Sequence, residues 1–210
     1  YTEVESKQLD IQANLVPIKD LKIDVTASRI YSENYSENYI IENDLYRSLT
    51  PNTTGNFNIS TVIIKTAFST SDENTSQTFE NFSDNRLIIA KRLAEEYYGT
   101  TNYPVDTETG YPIGFGSKSQ DVLLPSFLSA YKGSDPEKES TGIFRDIPIP
   151  NWDLKYTGLM RIPWFKKYFK RFSLQHGYRS GYTINQFRSN LDYDSNNPED
   201  LDQSGNFKST

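Results

Sequence analysis

The sequence predicts an all-β membrane-barrel segment: two antiparallel hairpins with short periplasmic turns, and between them a large α-helical extracellular insertion. Three observations lead there. Apolar and polar residues alternate with a period of two in two pairs of stretches, one pair near each end of the chain. The alternation is lost across the long middle. The connections inside each pair are short while the one between the pairs is very long, which is the asymmetry of outer-membrane barrels. A long twisted hairpin in a soluble sheet satisfies the same alternation.

The first strand is read from Lys7 to Leu15, where Lys, Leu, Ile, Ala and Leu occupy the odd positions and Gln, Asp, Gln and Asn the even ones. Pro17 cannot continue a hydrogen-bonded ladder, so "VPIKD" marks a turn. Alternation resumes with Leu21, Ile23, Val25 and Ala27 against Lys22, Asp24, Thr26 and Ser28. At the far end of this second strand lies "YSENYSENY". Its period of four keeps Tyr31, Tyr35 and Tyr39 on the face of Leu21, at about 13 Å intervals along a strand. No single interfacial belt holds all three, and Tyr31 is the expected membrane-interface residue.

The middle reads as helical. Phe79, Phe82, Ile89, Leu93 and Tyr97 recur at helix spacing, with Asn74 or Thr75 as the cap and Gly99 as the stop. A second helix is expected over "QDVLLPSFLSAY", bent or started near Pro125, and "NISTVIIKTAF" leans the same way through Ile59, Val62, Ile63 and Thr66. So long a stretch is expected to fold on a small core of its own.

In the second hairpin Trp152, Leu154, Tyr156, Gly158, Met160 and Ile162 alternate with Asp153, Lys155, Thr157 and Arg161, and Phe172, Leu174, Tyr178, Tyr182 and Ile184 with Ser173, Gln175, Arg179 and Thr183. Its turn, "PWFKKYFKR", carries Lys166, Lys167, Lys170 and Arg171 with no acid, interleaved with Trp164, Phe165, Tyr168 and Phe169. Rings at headgroup depth with charges in water suit a bilayer interface, so Trp164, Phe165 and Tyr168 join Tyr31 as expected interface residues. The expected lipid-facing set is Leu9, Ile11, Leu15, Leu21, Ile23, Val25, Trp152, Leu154, Tyr156, Phe172, Leu174 and Tyr178. The expected division is a wall hairpin over 1–42, the extracellular insertion over 43–150, a wall hairpin over 151–190 and an acidic extracellular loop over 191–210.

Composition narrows the function classes. Of 210 residues 35% are hydrophobic, mean hydropathy is −0.68, and the longest aliphatic run, Leu87–Ala90, is far short of the roughly 20 residues of a membrane helix. Aromatic residues nevertheless make up 14%, as a surface of alternating apolar and polar residues would require. A net charge of −6 argues against a nucleic-acid partner. No cysteine is present, which removes disulfides and thiolate metal sites, and the start at Tyr1 reads as a mature or excised piece.

No catalytic constellation emerges, and neither an enzymatic activity nor a cofactor is expected. His176 is the one histidine, on the apolar register of its strand. "GFGSKS" lacks the spacing of a phosphate-binding loop. "DYDSNN" opens like a calcium loop with Asp192, Asp194 and Asn196, but the turn glycine and closing glutamate are missing. Asn-X-Ser/Thr triplets at Asn52, Asn58, Asn74 and Asn81 would matter only in a eukaryotic secretory protein.

Longer runs carry a resemblance. "GYPIGFGSKSQDVLLPSFLSAYKG", "FRDIPIPNWDLKYTGL" and "FSLQHGYRSGYTINQFRSNLDYD", with "YSENYSENY", "YRSLTPNTTGNF" and "FENFSDNRLIIAKRLAEEYYG", resemble the SprA/Sov family. These are giant outer-membrane translocons of the type IX secretion system in Bacteroidetes, and the likeness covers nearly the whole chain in order. The resemblance implies a slice of a much longer single-chain barrel that moves folded cargo with a C-terminal sorting domain to the cell surface, exporting adhesins in gliding species. It implies a PorV-type shuttle barrel, a periplasmic plug protein and outer-membrane lipid as partners, and no catalytic residue. Two other classes fit the residues: a TonB-dependent nutrient transporter, which shares long outer loops, and a soluble β-rich carbohydrate-binding module stacking sugars on its tyrosines.

Overall fold

The computed structural model describes residues 1–42, 44–49, 51–68, 71–194 and 197–208. The chain divides into two compact units: Tyr1–Val62 with Arg145–Arg188, and Ile63–Phe144 with Ser189–Thr210.

The first unit is a six-stranded antiparallel sheet. Strands β1 (Thr2–Ile18) and β2 (Leu21–Ser36) form a hairpin paired from Thr2 opposite Ser36 to Ile18 opposite Leu21. Asp20 turns it with φ 71°, a left-handed conformation that aspartate tolerates. The register slips between Leu15 and Ile18, beside Pro17, which has no N–H to give the ladder. A small exposed hairpin follows, β3 (Tyr39–Glu42) with β4 (Leu45–Ser48).

The other edge of β2 is shared by two strands lying end to end. β5 (Asn52–Ser60) pairs with its Arg29–Ser36 half, and β6 (Asn151–Tyr156) with its Leu21–Thr26 half. Both run antiparallel to β2, so together they make one rail, interrupted where the chain leaves for 61–150. β7 (Leu174–Tyr178) and β8 (Gly181–Arg188) continue the pattern, pairing with β6 and β5 respectively. The seam is stitched: Ile149 N–H donates to Ser60 O at 3.0 Å, Thr61 N–H to Ser180 O at 3.2 Å, and Ser180 N–H to Asn151 Oδ1 at 2.8 Å.

Between β6 and β7 a 3-10 turn (Gly158–Arg161) leads into a short helix, α3 (Pro163–Tyr168), started by Pro163, whose fixed φ suits the first helical position. An Arg161–Asp20 ion pair ties this connection to the β1–β2 turn.

The second unit packs α1 (Gln77–Tyr98) on α2 (Gln120–Lys132). Ser76, not Asn74 or Thr75, caps α1 by accepting from Phe79 N–H, and Gly99 ends it in the left-handed region. α2 starts at Gln120 and carries Pro125 inside it. Ala90 and Ala94 of α1 and Val122 of α2 form the buried core with Phe115, flanked by Leu93, Tyr98, Tyr103, Tyr111 and Phe207.

The expected barrel segment with a large helical insertion does not form. Among the described residues the chain is a small mixed α/β fold with an open antiparallel sheet, three helices and no closed barrel. Alternation with a period of two says which side chains share a face; it says nothing of whether the outermost strands meet. Here, among the described residues, β1 pairs with β2 alone, and β7 and β8 end the other side. The helical lean of "NISTVIIKTAF" is also overturned: Asn52–Ser60 is strand β5, and helical structure is confined to a 3-10 turn over Ile64–Phe68. Phe57 and Ile59 alternate with Asn56 and Asn58, too short a run for periodicity to separate from a helix. α3, for its part, lies in the β6–β7 connection rather than in the middle of the chain.

Candidate functional site

Directly opposed residues of neighbouring strands share a face, so the pairing places the expected set. Leu9, Ile11 and Leu15 of β1 lie on the face of Leu21, Ile23 and Val25, which stand opposite Tyr156, Leu154 and Trp152 of β6. These in turn oppose Leu174, His176 and Tyr178 of β7. Eleven of the twelve residues expected to face lipid therefore occupy one face of one sheet. Phe172 is the exception: it precedes β7 and packs with Phe165 and Phe169 at 5.1 and 5.5 Å between ring centroids.

This face is bare over much of its area. Leu9, Ile11, Leu15 and Leu174 remain 45–50% exposed. From Leu21 to Ala27 on β2, and along β1 as far as Ile11 opposite Ala27, no charged side chain interrupts it, a band of about 20 Å along the strands that ends where Arg29 stands opposite Leu9. Within it Trp152 stacks on Tyr178 at 4.7 Å, and its indole N–H donates to His176 Nδ1 at 3.2 Å. That bond fixes the neutral imidazole as the tautomer protonated on Nε2.

Above the band the face changes character. Tyr31 stacks on Phe187 at 5.8 Å, and the Lys7 ammonium lies over the Tyr31 ring, 5.9 Å from its centroid. Tyr1 meets Tyr35 edge to face at 6.1 Å. Tyr31 and Tyr35 each donate to the glutamate two residues on, Glu33 and Glu37, so the repeated Tyr-X-Glu of "YSENYSENY" is a set of local ring and carboxylate pairs. Tyr39 belongs to β3, in a separate two-stranded sheet.

Below the band lies the aromatic connection. Trp164 approaches Phe165 at 5.0 Å and Tyr168 at 5.2 Å, while Phe165 and Phe169 stand 5.8 Å apart. The cluster is formed yet uncovered, with Trp164 57% and Tyr168 60% exposed. Lys166, Lys167, Lys170 and Arg171 surround it, and none has a carboxylate partner among the described residues.

The opposite face is mostly polar: Asp10, Gln12 and Asn14 on β1 lie beside Ser28, Thr26 and Asp24 on β2, while Gln8 faces Ile30. Toward the upper end it holds a cleft of about 770 Å³ lined by Ser32, Asn34, Thr54, Asn56, Asn185 and Arg188. Three residues of the apolar face escaped the sequence reading. Phe57 and Ile59, each 1% exposed, lie in β5, where the period of two is expected to be lost, and Ile59 falls in the stretch that leans to helix. Phe187 is out of phase with Ile184 by an odd step, which a bulge absorbs: Ile184 pairs with Phe57 but Phe187 with Gly55, and Gln186 has φ 56°.

Among the described residues no group of three or more His, Cys, Asp or Glu gathers to hold a metal, and Asn196 lies outside them. In the second unit, burial works against the Asp202 carboxylate, but hydrogen bonds from Asn206 and the Ser204 N–H hold it below the ordinary aspartate range. No helix among the described residues is long and apolar enough to cross a membrane, which leaves strands untouched as a means of crossing.

Compared with known proteins, the chain matches no family model, and no curated protein matches it.

Proposed function

We propose that the chain works in the outer membrane as part of a protein-conducting translocon of the type IX kind, exporting folded cargo that carries a C-terminal sorting domain. The observation that carries this reading is the two-sided sheet. One face presents an uncharged band about 20 Å tall, with tyrosines above and an uncovered aromatic and basic cluster below. The other face is mostly polar. Hydrocarbon suits the first face and a water-filled path the second, and conduction asks of such a surface wetness rather than a reactive group. The long runs resembling the SprA/Sov family support the same reading and supply its expected partners, a PorV-type shuttle barrel and a periplasmic plug protein.

The absence of cysteine makes the test clean. Single cysteines replace Lys19 and Lys167, which lie at the same end of the sheet, Ile41 beyond the opposite end of β2, and Thr107 in the second unit. Intact cells are treated with a membrane-impermeant maleimide. Labelling of Ile41→Cys and Thr107→Cys alone, until the outer membrane is permeabilised, is expected. Equal labelling of all four would overturn the reading, as would depletion that abolishes nutrient uptake while surface export continues.

A further inference from the structure

We infer that the 162–172 connection is an anchor for the phosphates of an anionic phospholipid leaflet. The inference rests on the membrane placement proposed above but not on cargo or partners. Ile162, Trp164 and Tyr168 are 45–60% exposed, so the apolar part of this connection is uncovered although its rings are mutually packed. Four cations stand within six positions, Lys166 to Arg171, without a carboxylate partner among the described residues, in a chain whose net charge is −6. A cluster of one sign in a protein of the other sign calls for an anionic partner.

Two features select lipid among anionic partners. The exposed rings crown the end of the sheet beside a cleft of about 520 Å³ lined by Asp20, Arg161, Arg171 and Phe172, too small to seat a folded acidic protein; headgroups part around uncovered rings and still reach the charges beside them. The cluster also continues the bare apolar face, since the Tyr156–Leu174 rung, opposite Leu21, is the last one before the connection. Rings would sit at the carbonyl level beneath the leaflet's phosphates, with the Lys166, Lys167, Lys170 and Arg171 side chains extended to phosphate oxygens.

The two tryptophans test this directly, because Trp152 lies in the apolar band and Trp164 in the proposed anchor. The full chain is reconstituted into vesicles of phosphatidylcholine, with or without about a third phosphatidylglycerol, as Trp152→Phe, leaving Trp164, and as Trp164→Phe, leaving Trp152. The Trp164 emission is expected to shift blue and to be quenched by shallow brominated lipid more strongly in the anionic vesicles, and inorganic phosphate should not compete. Lys167→Gln with Lys170→Gln should weaken that preference on the order of thirtyfold, at about fivefold per charge. A Trp164 response equal in both vesicles, or unchanged by the double substitution, overturns the anchor. So does capture of polyglutamate or single-stranded DNA in place of vesicles. Deep quenching of Trp152 reports separately on the membrane placement: if it fails while Trp164 still selects anionic lipid, the anchor stands and the placement of the sheet falls.

Discussion

Gly55 shows how much one missing side chain does. A Cβ there would overlap the Phe187 ring and the Ser32 carbonyl, so the glycine lets Phe187 lie across β5 and stack on Tyr31. Gly55→Val should cost about 1–3 kcal/mol by overpacking and should weaken the near-ultraviolet circular dichroism of the ring pair, read in thermal melts of the full chain. Asp202 makes a prediction of opposite kind. Its folded pKa is depressed, so its contribution is present above the unfolded value of about 4 and is lost as pH falls through the folded one. Hydrogen exchange at the Ser204 and Asn206 amides, corrected for intrinsic rates, should lose protection below about pH 4, and Asp202→Ala should show the loss already at neutral pH. Neither residue announces itself in the sequence. "TTGNF" carries no local signal for its glycine because the ring that fills the glycine's place arrives more than a hundred positions later, and "LDQSG" is one acidic stretch among several until Asn206 closes on it.

Among elements, the long period-two runs were legible, and so was α1, whose apolar spacing and closing glycine are local signals. The composite rail was not. β5 and β6 are consecutive along β2, yet about ninety residues of chain separate them, and no periodic signal spans such a gap. The Ile149 to Ser60 hydrogen bond brings the two ends of that gap together. Replacing 63–144 by a short Gly/Ser linker should therefore leave the sheet's circular dichroism and the Trp152 emission unchanged; a lost strand signal would mean that this part of the second unit is needed to hold the rails in line.

For the molecule as a whole, the sheet carries an uncovered apolar face and edges whose backbone groups are unpaired among the described residues. Such a surface associates through edges and faces alike. The 210-residue chain is expected to sediment as large aggregates in plain buffer and as one species in mild detergent; a monomer without detergent would favour the soluble carbohydrate-binding class. Closure is the property that the sequence withholds. Each strand's pattern is written in its own residues, whereas whether the first rail meets the last depends on twist and on every pairing between them.

Among the described residues β1 pairs with β2 alone, and nearly all of its residues remain exposed on both faces. Pulled from Tyr1 at right angles to the sheet, it would come away as a zipper opens, a rung at a time, with no step demanding that all rungs yield together. Pulled along its own axis, the same ladder would resist as a single bond in shear. The direction in which force reaches the first residue thus sets how firmly this seventeen-residue strand is held.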